Sequence, residues 1–402
     1  MLHVTLVVSY DFINNVSGIY TSVKTLAESL TNNNSTVSVV YRQRGPKVAT
    51  LINPEFEGFS VEGDNWGSFG EYKVSSFVYI MIKLLFCFSA TLKILSINKK
   101  QKISLVHAQD INFGALASIV PSLILRVPLI VHGHNMDPRH PNLVVRSVER
   151  FINKVVLYHS FKVICVGNAV KQYALSMGAD PSKVTILTPG IDLEKFRAKK
   201  NSRSIARHAI GMNEESFVIG YAGRLSPEKN VGVLVEAIAE LVKSKRLKKA
   251  FLIINGKGVD ETKLRKLAEE LGIKDRILFT GFRSDVSETI HGLDVFVLPS
   301  LTEGLSLSLL EAKVAGKAII ASDIPANREI IRNRKTGLLV NPRKKEEMEN
   351  AVLELYQKPE LRELVSANAA KEAALYDKNR FAQELLEIYK MVCSRYSCST
   401  YC

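Results

Sequence analysis

Residues 294–316 read Asp-Val-Phe-Val-Leu-Pro-Ser-Leu-Thr-Glu-Gly-Leu-Ser-Leu-Ser-Leu-Leu-Glu-Ala-Lys-Val-Ala-Gly and decide the class of fold. The short apolar run 295–298 predicts a buried strand that ends at Pro299. After a polar loop, the pattern from Ser306 to Ala315 predicts a helix that is closed by Gly316. In open α/β sheets, ligands bind at this edge, where the free N–H groups of a helix N-terminus suit phosphate.

Two carboxylates lie eight positions apart in this segment. Glu303 falls in the predicted loop, and Glu311 falls on the second turn of the predicted helix. Taken alone, the segment is also compatible with an ordinary surface βα unit that carries an exposed glutamate.

Strand and helix patterns alternate on both sides of this segment. The other predicted strands are residues 2–9, 36–41, 103–107, 128–132, 162–166, 183–187, 217–222, 250–255, 276–280, 318–322 and 337–340. Such alternation predicts an α/β fold with two Rossmann-like, doubly wound parallel-sheet domains that face a central cleft.

The break between the two series sets the predicted domain boundaries. Residues 188–207 contain a Thr-Pro-Gly turn followed by a run of cations without acids, which indicates a linker. We therefore predict a first domain over 1–190, a basic linker over 191–207, a second domain over 208–375, and a last helix with a polar tail over 376–402.

The composition is that of a globular protein with an unusual charge. The chain has 402 residues, 46% hydrophobic and 23% charged, which is too long for one core. A net charge of +14 indicates an anionic partner. No basic block is interleaved with aromatic residues, so phosphate ligands and an anionic membrane face are favoured over nucleic acid.

The cysteines and the apolar segments indicate where in the cell the protein is located. Five scattered cysteines form no disulfide framework, and no leader is recognised, so a cytoplasmic location is expected. The apolar segment 74–97 is interrupted by Lys83 and Lys93, which argues against a membrane span. It predicts an amphipathic helix that covers the sheet or rests partly on a membrane, with the covering role favoured.

Polar and glycine residues follow several strands of the second domain. Gly223 is followed by Arg224 and Lys229, a guanidinium fork and a point charge suited to a diphosphate. Gly256 lies in a glycine turn after the next strand. Phe282 and Arg283 follow the third strand, where the exposed backbone could contact a flat base.

In the first domain, Gly18 lies at a strand-to-helix junction and His132 and His134 follow another strand. Two histidines in this spacing could bind a metal, but no third ligand is near in sequence. Positioning of a sugar hydroxyl or a phosphate is favoured, and a structural histidine remains an alternative for each.

Taken in order, these motifs resemble the retaining GT-B glycosyltransferases of family 4, the "glycosyl transferases group 1" type. The resemblance rests on Gly223-Arg224 with Lys229, on Gly281-Phe282, and on the pair Glu303 and Glu311, and it covers nearly the whole chain. It departs from the family pattern at Ser17-Gly18, where a Gly-Gly is usual, and at Ser306, where the family often has glycine.

The resemblance implies roles for individual residues. Arg224 and Lys229 would hold the donor diphosphate and stabilise the leaving nucleotide, while Glu311 would accept hydrogen bonds from the ribose. Glu303 would contact the donor sugar and the distal phosphate, and His134, with His132 as its alternative, would contact sugar or acceptor. The donor sugar and distal phosphate would also meet the backbone of five consecutive residues, Gly304, Leu305, Ser306, Leu307 and Ser308.

The resemblance also implies a reaction. It implies transfer of a hexosyl-type sugar from a UDP- or GDP-sugar to a polysaccharide, lipid-linked or other envelope glycan, without a metal cofactor. The last helix would pack back on the first domain. Because the leaving diphosphate needs cations, neither glutamate is expected to act as a simple proton shuttle.

Three alternatives stay open at this point. A nucleotide-sugar epimerase of the same build would need no acceptor. A nicotinamide-dependent dehydrogenase would show Gly-x-Gly-x-x-Gly after the first strand, and residues 2–19 lack it. A non-catalytic, membrane-associated scaffold is disfavoured by the intact cations and glutamates. The charge supports a peripheral location on the inner face of the membrane.

Overall fold

The computed structural model describes residues 2–11, 18–32, 35–43, 60–65, 76–134, 142–283 and 285–400. The chain forms two compact units. The first unit contains residues 1–190 and 378–402, and the second unit contains residues 191–377.

The first unit is built on a parallel sheet. Among its described residues, seven strands are arranged in the order β3-β2-β1-β4-β5-β6-β7. Their bounds are β1 His3–Asp11, β2 Thr36–Gln43, β3 Ser60–Asn65, β4 Leu105–Ala108, β5 Leu129–Gly133, β6 Lys162–Cys165 and β7 Val184–Ile186. The central strands β4 and β5 are buried along their whole length, as expected of parallel strands covered on both faces.

Helices connect these strands. Their bounds are α1 Gly18–Asn32, α2 Ser76–Lys100, α3 Phe113–Leu125, α4 Leu143–His159 and α5 Asn168–Ser176. The connections from β3 to β7 all run in one direction along the sheet, whereas the connection from β1 to β2 runs in the other. Because parallel crossovers are right-handed, α2, α3, α4 and α5 cover one face of the sheet and α1 covers the other.

The second unit repeats this architecture. Six of its described segments form a parallel sheet in the order β10-β9-β8-β11-β12-β13. The strands are β8 Phe217–Ala222, β9 Ala250–Asn255, β10 Ile277–Gly281, β11 Val295–Leu298, β12 Ala318–Ser322 and β13 Leu338–Val340.

The helices of the second unit begin directly after the first unit ends. They are α6 Leu193–Phe196, α7 Ser202–Ala209, α8 Val231–Lys243, α9 Glu261–Glu270, α10 Val286–Gly292, α11 Leu307–Val314, α12 Pro325–Ile330, α13 Lys345–Gln357 and α14 Pro359–Glu372. The chain then returns to the first unit as α15, Lys378–Thr400, which packs beside α1.

The structure corrects two sequence-based predictions. The stretch 191–207 is not a linker but part of the second unit, where it forms α6 and the first part of α7. Its last residue, Arg207, is fully buried. In addition, β3 is absent from the strands predicted from the sequence. Strand β3 has the sequence Ser-Val-Glu-Gly-Asp-Asn, with few strand-forming residues, so its sequence does not reveal it.

In each unit, the strand order creates one switch point, where the connections from two adjacent strands run in opposite directions along the sheet. In the second unit, β8 connects towards β9 on one side, while β11, its neighbour on the other side, connects towards β12. In the first unit, β1 and β4 have the same relationship. Ligands of open α/β sheets bind at such switch points, beyond the carboxyl ends of the strands.

Candidate active site

The strand-end loops of the second unit are bound to one another through their backbones. Gly223 N donates to Asn255 O at 2.9 Å, and Gly256 N donates to Gly281 O at 2.8 Å. Gly256 has a φ of +150°, and a Cβ there would lie 1.8 Å from Gly223 O. Glycine is therefore required at this position, because the loops after β8 and β9 are in direct contact.

A buried ion pair joins the ends of β8 and β11 at the switch point. Lys229 Nζ lies 2.6 Å from Glu303 Oε1, and both side chains are largely buried. Leu301 N donates to Glu228 O at 2.8 Å, so the backbones of the two loops are also in contact. The structure thus brings together the predicted diphosphate-binding lysine and the predicted sugar-binding glutamate, which are 74 positions apart.

Helix α11 begins beside this ion pair. Its N-cap is Ser306, whose side chain accepts a hydrogen bond from Leu309 N at 3.4 Å. A serine at the N-cap explains why the family's glycine can be replaced here, since either residue can end the loop and begin the helix. Gly316 follows the helix with a φ of +63°, which confirms the predicted glycine at its C-terminal end.

The backbone N–H groups of residues 304–308 lie at this helix N-terminus. Gly304 and Ser306 are buried, while Leu305, Leu307 and Ser308 are partly exposed. The first N–H groups of a helix lack partners within it and carry a partial positive charge, so they can receive an anion.

Glu311 is the second carboxylate of α11, and it has an unusual environment. Its side chain is partly buried, and no hydrogen bond to its carboxylate occurs among the residues that the structure describes. Burial raises the pKa of Glu311 to about 7, although the nearby Lys195 acts in the opposite direction. A partly buried carboxylate that accepts no hydrogen bond from the described residues can accept hydrogen bonds from the hydroxyl groups of a ligand.

The other predicted donor-binding residues differ in exposure. Arg224 is exposed, and its carbonyl accepts a hydrogen bond from Tyr221 Oη at 2.7 Å. Phe282 is also exposed. Arg283 donates from Nε and Nη2 to the two carboxylate oxygens of Asp285. Its guanidinium is therefore committed to this local ion pair.

In the first unit, three histidines form a stack at the ends of β4 and β5. The His107 and His132 ring centroids are 5.4 Å apart, and those of His132 and His134 are 4.3 Å apart. Burial lowers the pKa of His107 to about 3 and that of His134 to about 4, so both rings are neutral at pH 7.

The stack separates the roles of the two predicted histidines. His132 is 1% exposed and lies between the other two rings, so the prediction that it contacts a sugar or an acceptor is corrected: it supports its neighbours. His134 is partly exposed, and its Nε2 is 3.1 Å from Gln109 Oε1. With Nε2 as the donor in that bond, Nδ1 is the acceptor that His134 can offer.

Sequence-based reasoning missed three residues that shape these edges. His107 Nδ1 is 2.6 Å from Tyr389 Oη on α15, which ties the histidine stack to the last helix. Asp110 accepts hydrogen bonds from Gly114 N and Ser9 N, and so joins the ends of β1 and β4. The available signal was the polar residues His107, Gln109 and Asp110 at the carboxyl end of a buried strand.

Asn230 is a missed residue in the second unit. Its Nδ2 donates to Pro299 O at 3.2 Å and to Pro342 O at 2.8 Å. Its φ of +53° is a conformation that asparagine adopts more readily than most residues. Asn230 therefore holds the turn that carries Lys229 against the end of β11.

Metal ligation has no obvious location in the parts of the chain that the structure describes. No group of three or more histidine, cysteine, aspartate or glutamate side chains is placed to hold an ion there.

The two-sheet architecture is that of the GT-B class, as comparison with solved structures shows. Sucrose-phosphate synthase from Thermosynechococcus elongatus superposes with a TM-score of 0.83 at 17% identity, covering 98% of this chain and 100% of that one. Anabaena HepE, solved with UDP and glucose, superposes with a TM-score of 0.78 at 18% identity, covering 97% and 100%.

Two family models together account for most of the sequence. The model "Glycosyltransferase Family 4" matches residues 16–195, and the model "Glycosyl transferases group 1" matches residues 202–372. The chain belongs to the GT-B glycosyltransferases of family 4.

Among curated relatives, the chain is similar to the Escherichia coli UDP-Gal:alpha-D-GlcNAc-diphosphoundecaprenol alpha-1,3-galactosyltransferase. The two are 30% identical over 250 residues, which is 60% of this chain and 63% of the relative. The chain spans about half to two thirds of the length of the first curated relatives that it matches.

Proposed function

We propose that this protein is a retaining glycosyltransferase that moves a hexosyl-type sugar from a UDP-sugar to a lipid-linked envelope glycan on the cytoplasmic side of the membrane. The observation that carries the proposal is the buried Lys229–Glu303 pair beside the N-terminus of α11 at the switch point. The E. coli relative, named for a UDP-galactose donor and a diphosphoundecaprenol-linked acceptor, supports the choice of substrate classes.

In the proposed mechanism, the departing nucleoside diphosphate is stabilised by fixed positive charge. Lys229, oriented by Glu303, would meet the diphosphate together with Arg224 and the free N–H groups at residues 304–308. Glu311 would accept hydrogen bonds from the ribose. The neutral His134 would accept a hydrogen bond from a sugar hydroxyl through Nδ1. Lys229, Arg224 and the N–H groups favour bond cleavage because negative charge grows on the leaving phosphates in the transition state.

The test of this proposal begins with binding. UDP-galactose, UDP-glucose, UDP-N-acetylglucosamine and GDP-mannose are screened for the rise in Tm that a ligand of the native state produces. The stabilising donor is then incubated with a diphosphoundecaprenol-linked sugar, and the anomeric configuration of the product is determined by NMR. An inverted anomer would reject the retaining mechanism, and absence of nucleotide binding would favour the scaffold alternative.

The epimerase alternative has a simple signature. An epimerase of this fold would convert the nucleotide-sugar, or release free UDP, without any acceptor. We expect release of UDP to depend on the acceptor, with only slow hydrolysis of the donor in its absence.

We also expect the reaction to proceed without a divalent metal ion. The charge that a metal would supply at the diphosphate is provided in this proposal by Arg224 and Lys229. Activity in excess EDTA should therefore stay within about twofold of the untreated enzyme. Loss of activity that Mg²⁺ or Mn²⁺ restores would contradict this expectation.

The raised pKa of Glu311 predicts pH-dependent nucleotide binding. Ribose hydroxyls donate to the ionised carboxylate, which is the minor form below about pH 7. The affinity for UDP should therefore rise from pH 6 to pH 8, by up to about tenfold per pH unit below the pKa. Isothermal titration calorimetry of the wild type and of Glu311→Gln measures this, since the variant retains only the titration of UDP itself.

Glu311→Gln should weaken UDP binding but increase the stability of the unliganded protein. Because the folded-state pKa lies above that of an unfolded glutamate, this carboxylate lowers stability as pH rises from about 4.3 to about 7. Glu311→Gln should therefore raise the Tm of the unliganded protein at pH 8 while it weakens UDP binding. A variant that lowers both would assign Glu311 a structural role instead.

A further inference from the structure

Helix α2 has apolar side chains on two opposite faces. One face is buried in the first unit and includes Phe86, Ala90 and Ile94, none of which has exposed surface. The other face carries six large apolar side chains that are 36–73% exposed: Phe77, Met81, Leu84, Leu85, Phe88 and Leu92. Their spacing is that of one side of a helix, so they form a continuous stripe.

This helix is long and apolar enough to cross a membrane, but its packing holds it on the protein. The window Tyr79–Lys100 has the length and hydropathy of a span. However, Cys87 Sγ donates to Phe113 O at 3.4 Å, and Thr91 Oγ1 donates to Ala117 O at 3.1 Å. Lys83, only 4% exposed, lies over the Phe113 ring. Crossing a bilayer would break these contacts, whereas lying in its surface would keep them.

The neighbouring helices extend the apolar surface. Helices α2, α3 and α4 cover the same face of the sheet, and they pack against one another. The outer side of α3 exposes Val120, Leu123 and Ile124. The outer side of α4 exposes Leu143, Val144, Phe151 and Tyr158. We call the outer surface of these three helices the α2–α4 face.

The charge of the α2–α4 face is almost entirely positive. Besides the buried Lys83, helix α2 contains three lysines, and helix α4 contains two arginines and one lysine, while α3 contains no charged residue. The only acidic residue in the three helices is Glu149, which is 5% exposed and accepts a hydrogen bond from Tyr79 Oη. Exposed cations also follow the ends of α2 and α3, at Lys102 and Arg126.

We propose that the α2–α4 face rests on an anionic phospholipid bilayer, with α2 lying in the plane of the interface. Apolar side chains bordered by lysine and arginine are the combination that binds such a surface: the apolar groups enter the acyl boundary and the cations meet the lipid phosphates. A second copy of this chain fits less well, because two copies of the same positive face repel each other. The location deepens the proposed function, since a lipid-linked acceptor is presented at that surface.

The full-length protein is tested by flotation with vesicles, without nucleotide or acceptor. Vesicles of phosphatidylcholine alone are compared with vesicles of equal parts phosphatidylcholine and phosphatidylglycerol, at low and at high salt. We expect at least about tenfold tighter binding to the anionic vesicles at low salt, with a weaker fraction retained at high salt.

Two sets of variants assign the binding to the α2–α4 face. The apolar set is Leu84→Ser, Phe88→Ser and Leu92→Ser, and its matched control in the second unit is Ile205→Ser, Val259→Ser and Leu364→Ser, at similarly exposed positions. The charge set is Lys99→Glu, Lys102→Glu and Arg126→Glu, with Lys248→Glu, Lys263→Glu and Lys335→Glu as the control. Each test set should weaken vesicle binding at least about tenfold, and each control should stay within about twofold.

The outcomes separate this inference from the proposed function. UDP binding, measured by calorimetry in the same variants, should be unchanged, because all substitutions lie outside the donor site. Equal binding to both vesicle types, or equal loss in test and control sets, would overturn the proposal. A concentration-dependent dimer in light scattering that the apolar set abolishes would also overturn it, by assigning the face to contact between copies. If vesicles bind but no sugar is transferred, the inference stands while the proposed function fails.

Discussion

Replacing Lys229 with alanine is expected to lower kcat for sugar transfer by about 10²–10³-fold. The lysine lies at the switch point, 2.6 Å from the buried Glu303. Its removal takes away charge stabilisation of the leaving diphosphate. It also leaves the buried carboxylate of Glu303 without its ion-pair partner Lys229. Arg224→Ala should cause a loss of the same order, because Arg224 is the other cation assigned to the diphosphate.

A double substitution distinguishes these two effects. In Lys229→Ala combined with Glu303→Gln, the uncompensated carboxylate is gone, so UDP affinity should recover while kcat stays low. Lys263→Ala, which removes an exposed cation of α9, is the matched control and should retain normal turnover. Steady-state kinetics of transfer and calorimetry of UDP binding provide the two readouts. Turnover within about threefold of the wild type in both Lys229→Ala and Arg224→Ala would reject the assignment.

Replacing Arg207 with alanine should destabilise the second unit by about 3–5 kcal/mol. The guanidinium is fully buried, and its Nη2 lies 2.6 Å from Asp294 Oδ2. Its Nε donates to Gly292 O at 3.1 Å, and its Nη1 donates to Asn213 O at 3.0 Å. Asp294 Oδ2 also accepts a hydrogen bond from Val218 N at 2.7 Å, so the pair ties α7 to the beginnings of β8 and β11.

The matched control for Arg207 is Arg203. It also pairs with Asp294, at 3.2 Å, but its side chain is 45% exposed. Exposed ion pairs contribute little to the free energy of unfolding, so Arg203→Ala should lower it by no more than about 1 kcal/mol. For a unit of this size, the Arg207 variant should lower the Tm of the corresponding transition by roughly 10 °C, measured by scanning calorimetry. Equal shifts in the two variants would show that burial of Arg207 does not determine its contribution.

Much of the second unit could be predicted from the sequence because its signals are local. Strands β8, β9, β11 and β12 have the predicted bounds, and α11 differs from its prediction by one residue at each end. An apolar run that ends at Pro299, and a helix that ends at Gly316, are marked by residues whose backbone preferences act within a few positions.

Prediction was wrong where burial, rather than pattern, determines the role of a residue. The cations of residues 195–207 indicated a solvated linker, but Arg207 is buried because Asp294 and several carbonyl groups surround it. His132 and His134 were equivalent in sequence, and only the stack with His107 separates the buried ring from the partly exposed one. Each of these partners is distant in sequence, so no local pattern could reveal it.

The segment 294–316 shows which features the sequence determines and which depend on the tertiary structure. By itself, the sequence determined that it forms a strand, a loop and a capped helix, since those depend on residues a few positions apart. Only the tertiary structure placed β11 beside β8, and with it Glu303 against Lys229. Strand order depends on which apolar faces pack together across the whole unit, and that choice is made by burial and crossover handedness rather than by the residues of any one segment. Tertiary packing likewise decides which apolar face of α2 is buried and which is exposed.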